Sequence, residues 1–548
     1  MKSIYSLLVA VICVFHVDHL MAQQMAPVAV KASVSLEKPL SKTDQLPTLY
    51  GNTITSAELK KHLEILASDA YEGRETGMPG QKKAAQYLAD YYASQGIAPC
   101  NEGSYFQQYP LKKESYTRSK AVVDGNTYNF ADDFYCWGGE WKELNGSDLV
   151  FVGYGIVDGK YTDYKAEDVK GKVMLCLSGE PHDKRGMSLL TGTEASSEWA
   201  DDYGLKYETA IASGAKGMVV IQTDYQSIIQ RIRYWLENAG ARLDYPVEMA
   251  TGEAELPLLF ISPKLANQIL SSTGKSSADW TKKIEKKKKF KAIKVKTDLK
   301  FELIKDAEKF TAENVLCFIE GTDPVLKSEL VIISAHYDHI GIVKGEINNG
   351  ADDDGSGTVS TLEIAQAFIE AKKQGHGSRR SILILNVSGE EKGLLGSEWY
   401  AEYPVFPRES TVVDLNIDMI GRKDEAHPDP NYVYLIGSDK LSTDLHKISE
   451  KCNSTYTNLA LDYTYNDPED PNRFYYRSDH YNFAKFNIPV IFYFSGVHED
   501  YHKPGDDVEK ILFEKMQTIA RLVFYTAWEV ANRDERLKVD VVNDFEGK

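Results

Sequence analysis

The chain is poor in cysteine, short of positive charge and, past its first residues, without a long apolar run. Six cysteines stand among 548 residues. No two have the spacing of a structural zinc pair, which excludes thiolate sites of the finger or ribbon kind. Setting aside Cys13 in the leader leaves Cys100, Cys136, Cys176, Cys317 and Cys452, an odd number, so at least one thiol stays unbridged. Cys176 and Cys317 sit in apolar runs and read as buried strand residues; a Cys100–Cys136 bridge is left open. A formal net charge of -18 argues against a nucleic-acid partner and for a soluble, self-repelling surface. One segment departs from this. Lys282 to Lys300 is dense in lysine, and Ile293, Val295, Thr297 and Leu299 alternate there with Lys294, Lys296, Asp298 and Lys300. The alternation reads as a strand whose lysine face keeps a sheet edge solvated, in preference to a polyanion site. There is no low-complexity tract, and no later stretch is long and apolar enough to span a bilayer.

The first residues are different. Lys2 precedes an apolar run, Ile4 to Val17, and Ala22 offers a small residue for cleavage. Residues 1–22 therefore read as a secretory signal peptide, and the mature protein as secreted or periplasmic. The oligomeric state is not readable.

The length predicts more than one domain. Thr55 and Glu58 fit a capping box before Leu59, Leu63 and Leu66, and a second helix is predicted over Gln81 to Gln95. Between them runs Glu72-Gly-Arg-Glu-Thr-Gly-Met-Pro-Gly80, rich in turn residues. Residues 138–289 carry strand and turn signals but no clustered ligands, and read as a β-rich insert. From Asn314 onward strands and helices alternate: strands over 315–319, 330–334, 382–387, 412–417, 432–436 and 489–494, helices over 358–371, 394–403, 440–452 and 507–532. This predicts an α/β fold with a mixed, largely parallel central sheet flanked by helices. Residues 50–137 and 290–535 would form that discontinuous domain. In such open sheets ligands bind beyond the carboxyl ends of the strands.

Several polar clusters fall at those ends. In Ser334-Ala-His-Tyr-Asp-His339, His336 follows an apolar strand, and Asp338 two residues on can fix the tautomer of a metal-bound imidazole. His339 is the competing ligand. Asn349-Gly-Ala-Asp-Asp-Asp-Gly-Ser-Gly357 sets three carboxylates side by side, which repel unless a cation neutralises them. In Val387-Ser-Gly-Glu-Glu-Lys392, one glutamate can bind metal while its neighbour moves a proton. Asp418 ends another strand, and His502 lies in the turn Asp500-Tyr-His-Lys-Pro-Gly-Asp506. Each cluster has an ordinary alternative as a polar turn, a solvated loop or a helix cap. Nitrogen and oxygen donors recurring at successive strand ends point instead to one metal site of zinc type. His480, in Arg477-Ser-Asp-His480, is a supporting candidate only.

Together these segments resemble the secreted di-zinc aminopeptidases, the family of bacterial leucyl aminopeptidase and aminopeptidase Y, with glutamate carboxypeptidase II as a relative. The likeness runs from about Tyr50 to Asn532, and the insert resembles a protease-associated domain. The resemblance implies two zinc ions per chain and peptide substrates. It implies His336, Asp353 and Asp418 on one ion, His502, Glu391 and the shared Asp353 on the other, Asp338 behind His336, and Glu390 as general base. It also implies a cis peptide between Asp353 and Asp354. Tyr501 or a backbone N–H would assist at the developing oxyanion. A carboxypeptidase or dipeptidase on the same scaffold is the alternative, for which Arg422, Arg473 or Arg477 would hold a substrate carboxylate. A glutaminyl cyclase and a non-catalytic, receptor-like binding protein stand further off.

Overall fold

Formation of the central strands follows from apolar runs of about six residues, too short for a stable helix and rich in Val, Ile and Leu. In the computed structural model, which describes residues 45–137, 141–159, 161–201, 203–238, 240–245 and 256–543, the strands of the sheet are β1 (Phe106–Ser115), β2 (Asp306–Ile319), β3 (Leu330–His336), β4 (Ser381–Val387), β5 (Thr411–Ile417), β6 (Tyr432–Ile436), β7 (Ala460–Asp462) and β8 (Val490–Phe494), of which β3–β6 and β8 are such runs. The signal peptide expected over 1–22 lies outside the described residues. The strands lie in the spatial order β7-β6-β8-β5-β3-β4-β2-β1. At the centre β8, β5, β3 and β4 are mutually parallel, while β2 and β6 run antiparallel to their neighbours β4 and β8. The central strands are buried along their whole length, as parallel strands covered on both faces must be.

Helices supply that cover. On one face pack α1 (Ser56–Leu66), α2 (Pro79–Ser94), α3 (Gly357–Lys373), α5 (Thr443–Cys452) and α6 (Phe513–Asn532) against Val331 and Ile333. On the other, α4 (Leu395–Glu402) and the turn of helix at His480–Ala484 cover Leu330 and Ile332. Thr55 caps α1, its Oγ1 accepting from Glu58 N at 3.3 Å. The last helix starts at Phe513, later than 507, because residues 508–510 form a separate 3-10 turn.

The chain divides into two units, one of residues up to Leu111 and from Phe310, the other Lys112–Lys309. The second is wider than the 138–289 expected of the insert, because strands on both sides of that range pair with each other. Lys120–Val123 lies between Asn126–Asn129 and Leu299–Glu302, and the latter pairs on to Glu143–Asn145. Nor is the unit simply β-rich. Its larger sheet has parallel strands at 149–151, 173–177, 217–221 and 258–261, packed with helices such as Tyr203–Ala212, Tyr225–Glu237 and Ser277–Lys287. Ile229 and Leu236 carry the apolar face of the 225–237 helix, a helical spacing inside a stretch otherwise dominated by strand signals. All five described cysteines are free. The Cys100–Cys136 bridge does not form: Cys136 is buried within the core of the second unit, and Cys100 belongs to the first.

One side chain ties the turn-rich loop after α1 to the sheet. Arg74 is fully buried and donates to four main-chain carbonyls, Leu66 O, Tyr337 O, Asn349 O and Gly350 O, at 2.6–2.9 Å. Truncating it would strand those acceptors away from water. Arg74→Met is expected to cost about 3–5 kcal/mol in urea unfolding; a loss under about 1 kcal/mol would show that the fork carries no stability.

Candidate metal centre

The parallel strands β4, β3, β5 and β8 all point their carboxyl ends the same way, and the predicted clusters lie just past those ends. His336 is the last residue of β3, in register with Val387 at the end of β4. Two residues after Val387, Gly389 turns the chain with φ 77° and brings on Glu390 and Glu391. A Cβ there would meet Tyr109 Oη at 2.8 Å, so the turn has room only for glycine. Asp418 directly follows β5. His502 follows β8 in a turn and holds φ 55°. Asp353 comes from the β3–α3 loop, and its peptide to Asp354 is cis.

These residues close on one point. His336 Nε2 lies 3.4 Å from Asp353 Oδ1, 3.6 Å from Asp418 Oδ1 and 3.9 Å from Glu390 Oε2. His502 Nε2 lies 3.1 Å from both Asp353 Oδ2 and Glu391 Oε2. Thus the two oxygens of Asp353 face two different imidazoles. Donors held about 2.0–2.2 Å from a tetrahedral zinc stand roughly 3.3–3.6 Å from one another, and the separations here bracket that range, from 3.1 to 3.9 Å. Asp353 Oδ2 and Glu391 Oε1 are buried and accept no hydrogen bond, although imidazoles lie this close. Lone pairs aimed at one another's neighbourhood without a proton between them fit a cation. Two groups of donors converge in this way, His336 with Glu390 and Asp418, and His339 with Asp353 and Glu391.

The surroundings hold these donors in place. The carboxylate of Asp338 accepts from Thr76 Oγ1 at 2.5 Å and from the Glu390 N–H at 3.3 Å. Its backbone carbonyl, at 3.1 Å, is the hydrogen-bond partner of His336 Nδ1, while its carboxylate stands at 3.7 Å. The orienting contact expected of the Asp338 side chain is therefore made by its main chain. Within the acidic triplet, Asp352 accepts from Gly421 N and Asp354 from Met419 N and Gly357 N. Asp506 receives the N–H groups of Asp352 and Asp353. Ser478 Oγ donates to Asp418 Oδ2 at 2.7 Å.

Asp506, Ser478 and Asp479 were not singled out from the sequence. The Asp506 signal was present in the Pro-Gly-Asp turn that also carries His502. His339 sits nearer the centre than its sequence context suggested, Nδ1 2.8 Å from Glu391 Oε1. His480 does not join the site. It is fully buried, stacked on Phe492 at 4.9 Å, and burial pushes its imidazole down to about 3. Arg422 pairs with Asp500 at 3.1 Å. Arg477 lines the cleft over the site together with His336, Asp353, Glu390 and Asp418, beside Met419, Phe474, Phe492, Phe494, Val497 and Tyr501.

The side chains settle their charges unequally. Burial opposes the charged form of His502, but Glu391 and Asp353 outweigh it and push the imidazole up to about 11. His336 is raised in the same way, against burial, by Glu390 and Asp418. Burial, with Glu391 and Asp418 close by, lifts the Glu390 carboxyl well above its usual range in spite of His336. Burial also raises Asp479 to about 7.

Residues 314–527 match the sequence profile of Peptidase family M28. A probable leucine aminopeptidase of Arthroderma benhamiae is 31% identical over 222 residues, which cover 39% of this chain and 57% of that protein. The chain thus spans little more than half the length of such relatives. An aminopeptidase from Aneurinibacillus sp. strain AM-1 aligns with 17% identity and a TM-score of 0.47, over 90% of this chain and 98% of that one. A zinc aminopeptidase from Bacillus subtilis aligns with 18% identity and a TM-score of 0.44, over 90% and 98%.

The histidine charge has a consequence for pH. A folded-state value of about 11 for His502, above its ordinary 6.5, contributes stability that is fully present below pH 6.5 and is lost as pH rises toward 11. Chelator-treated protein is expected to lose stability across that window in urea titrations. Its zinc affinity should rise over the same window, because the ligating imidazole must be neutral. Stability flat from pH 6.5 to 10 would separate His502 from the acids.

Proposed function

We propose that the chain is a zinc-dependent exopeptidase, an aminopeptidase that removes N-terminal residues from peptides. The reading rests above all on Asp353, whose two oxygens face His336 and His502 separately. His336, Asp353 and Asp418 would hold one ion, and His502, Asp353 and Glu391 the other. When bound, two such ions polarise the scissile carbonyl and make water a nucleophile near neutral pH. His339, fully buried behind Glu391, competes with His502 for the second position. We assign His502 the ligand role, because its Nε2 stands equally close to both carboxylates.

The protein's own groups do the rest. Glu390 stands near His336 and Asp418, with its N–H anchored on Asp338. It takes the proton from the attacking water and returns it to the leaving amine. The Tyr501 ring stacks on His502 with centroids 3.9 Å apart and lines the same cleft; its hydroxyl donates to the oxygen that gains charge as the carbonyl is attacked. The apolar wall of Met419, Phe474, Phe492, Phe494 and Val497 suits an apolar side chain next to the bond being cut. The name of the leucine aminopeptidase relative supports the same direction. Arg477, on the rim of that cleft, favours a second reading in which a short peptide's terminal carboxylate is held there, making the enzyme a carboxypeptidase or dipeptidase. Residues 112–309 would be the protease-associated-like insert, and the apolar leader would export the chain.

Glu390→Ala is expected to lower peptide cleavage by about a thousandfold or more while zinc content, read by atomic absorption, stays at the wild-type level. Asp353→Ala should lose metal and activity together. His502→Ala should lose more zinc than His339→Ala; the reverse order would exchange their roles. Tyr501→Phe should cut kcat by about a hundredfold with zinc retained. A peptide panel then separates the two readings. Hydrolysis that stops when the N-terminus is acetylated supports the aminopeptidase, and hydrolysis that stops when the C-terminus is amidated supports the alternative.

A further inference from the structure

The lysine segment 282–300 behaves differently in the structure from the single edge strand read in its sequence. It holds ten lysines against two acids, a formal +8 within a chain of net -18. Its alternating stretch splits in two. Ile293–Val295 forms the edge strand of the larger sheet in the second unit, pairing with Leu149–Phe151, whereas Leu299–Glu302 sits between two strands of a different sheet. Edge protection thus accounts for Lys294 and its neighbour Lys296. The others lie before the strand, on the last turns of the helix Ser277–Lys287 and in the connection that follows. A helix C-terminus favours a cation or two in its last turn, not a run that continues through Lys289 and Lys291.

Local partners account for few of them. Lys288 reaches Asp183 at 4.0 Å, Lys300 pairs with Glu143 and Glu302, and Lys283 lies over the Trp280 ring. Lys286, Lys287, Lys289, Lys291, Lys294 and Lys296 are exposed, and none has an ion pair among the described residues. They fall within eleven consecutive residues, a span of at most about 36 Å of chain. Like charges at this density repel, so the segment costs stability unless something outside it supplies the counter-charge.

The kind of partner follows from what accompanies the charge. Every cation in the segment is lysine, a point charge on a flexible stem, and none is arginine, whose planar fork suits defined phosphates or bases. The one aromatic ring in the segment, Phe290, faces inward against Phe151 and Trp280, so no ring is presented for stacking on bases. Diffuse, laterally mobile negative charge matches such a face best. The rest of the chain is acidic, but beyond about 10 Å its repulsion is screened at moderate salt, and the face in contact decides. We propose that this face of the second unit adsorbs to bilayers that carry anionic lipid headgroups, holding the chain at a membrane surface without a spanning segment.

The test is co-sedimentation of the full chain with vesicles of phosphatidylcholine alone and of phosphatidylcholine with about one-third phosphatidylglycerol. Binding to the anionic vesicles is expected to exceed binding to the neutral ones at least about tenfold in about 0.1 M salt, and to disappear in about 1 M salt, where the screening length falls to about 3 Å. Replacing the six lysines by glutamine should lower binding at least about tenfold, whereas replacing them by arginine should retain it, because charge drives adsorption. A threefold variant, Lys289→Gln with Lys291→Gln and Lys294→Gln, should give an intermediate loss even if the sixfold variant folds poorly. Cleavage of a small peptide should be unchanged in all of them. Equal binding to both vesicle types, undiminished binding by the glutamine variants, or capture by soluble heparin without vesicle binding would each overturn the proposal.

Discussion

Eight carboxylates (Asp338, Asp352, Asp353, Asp354, Glu390, Glu391, Asp418 and Asp506) and three imidazoles (His336, His339 and His502) crowd the carboxyl edge of four parallel strands, most of them buried. The rest of that unit is arranged around tolerating the crowd. Asp353 is nearly inaccessible, and like charges at this range cannot all persist without compensation. Part of the compensation is main chain: Asp352, Asp354 and Asp506 spend their lone pairs on the N–H groups of residues 421, 419, 357, 352 and 353. Another part is the buried guanidinium of Arg74, among whose nearby charges are Asp338 and Asp353. What remains unsatisfied, chiefly on Asp353 and Glu391, is what two divalent ions would complete.

Much of this was legible in the sequence, for a physical reason. Parallel strands buried on both faces are written as unbroken apolar runs, so their ends are easy to locate, and a polar residue just past such an end has few structural excuses. His336, Glu390, Glu391 and Asp418 were found in this way, and the structure brings them together with Asp353 and His502. The supporting groups leave no such mark, because their partners are distant in the chain: Ser478 donates to Asp418 across 60 residues. Asp506 binds two N–H groups across more than 150 residues of sequence, and no local pattern records such a bond. The same limit explains Asp338. A carboxylate two residues beyond a histidine reads as its partner, yet the chain bends so that the carbonyl takes the ring N–H and the carboxylate turns to Thr76 and Glu390.

The second unit was read less well. Its edges lie outside 138–289 because the strands that close it, 120–123 and 299–302, are short and pair with each other across the whole unit, a bond no local pattern records. Of its helices only the one over 207–213 is legible in the sequence, overlapping the observed Tyr203–Ala212; elsewhere apolar residues on strands and on helices are not told apart by local pattern. The lysine segment illustrates the point: alternation over seven residues suggests one strand, but Thr297 and Asp298 break it into two that belong to different sheets.

The donors are dispersed along the chain from residue 336 to residue 502, and each depends on strand pairings between segments distant in sequence. No contiguous piece shorter than that interval contains the donors proposed for both ions. During synthesis the donors proposed for the first ion, His336, Asp353 and Asp418, emerge well before His502, so a copy cut short before residue 502 would have a place for one ion and not for the pair. The two-ion arrangement would thus be completed last, by the turn that brings His502 to Asp353 after the sheet has closed.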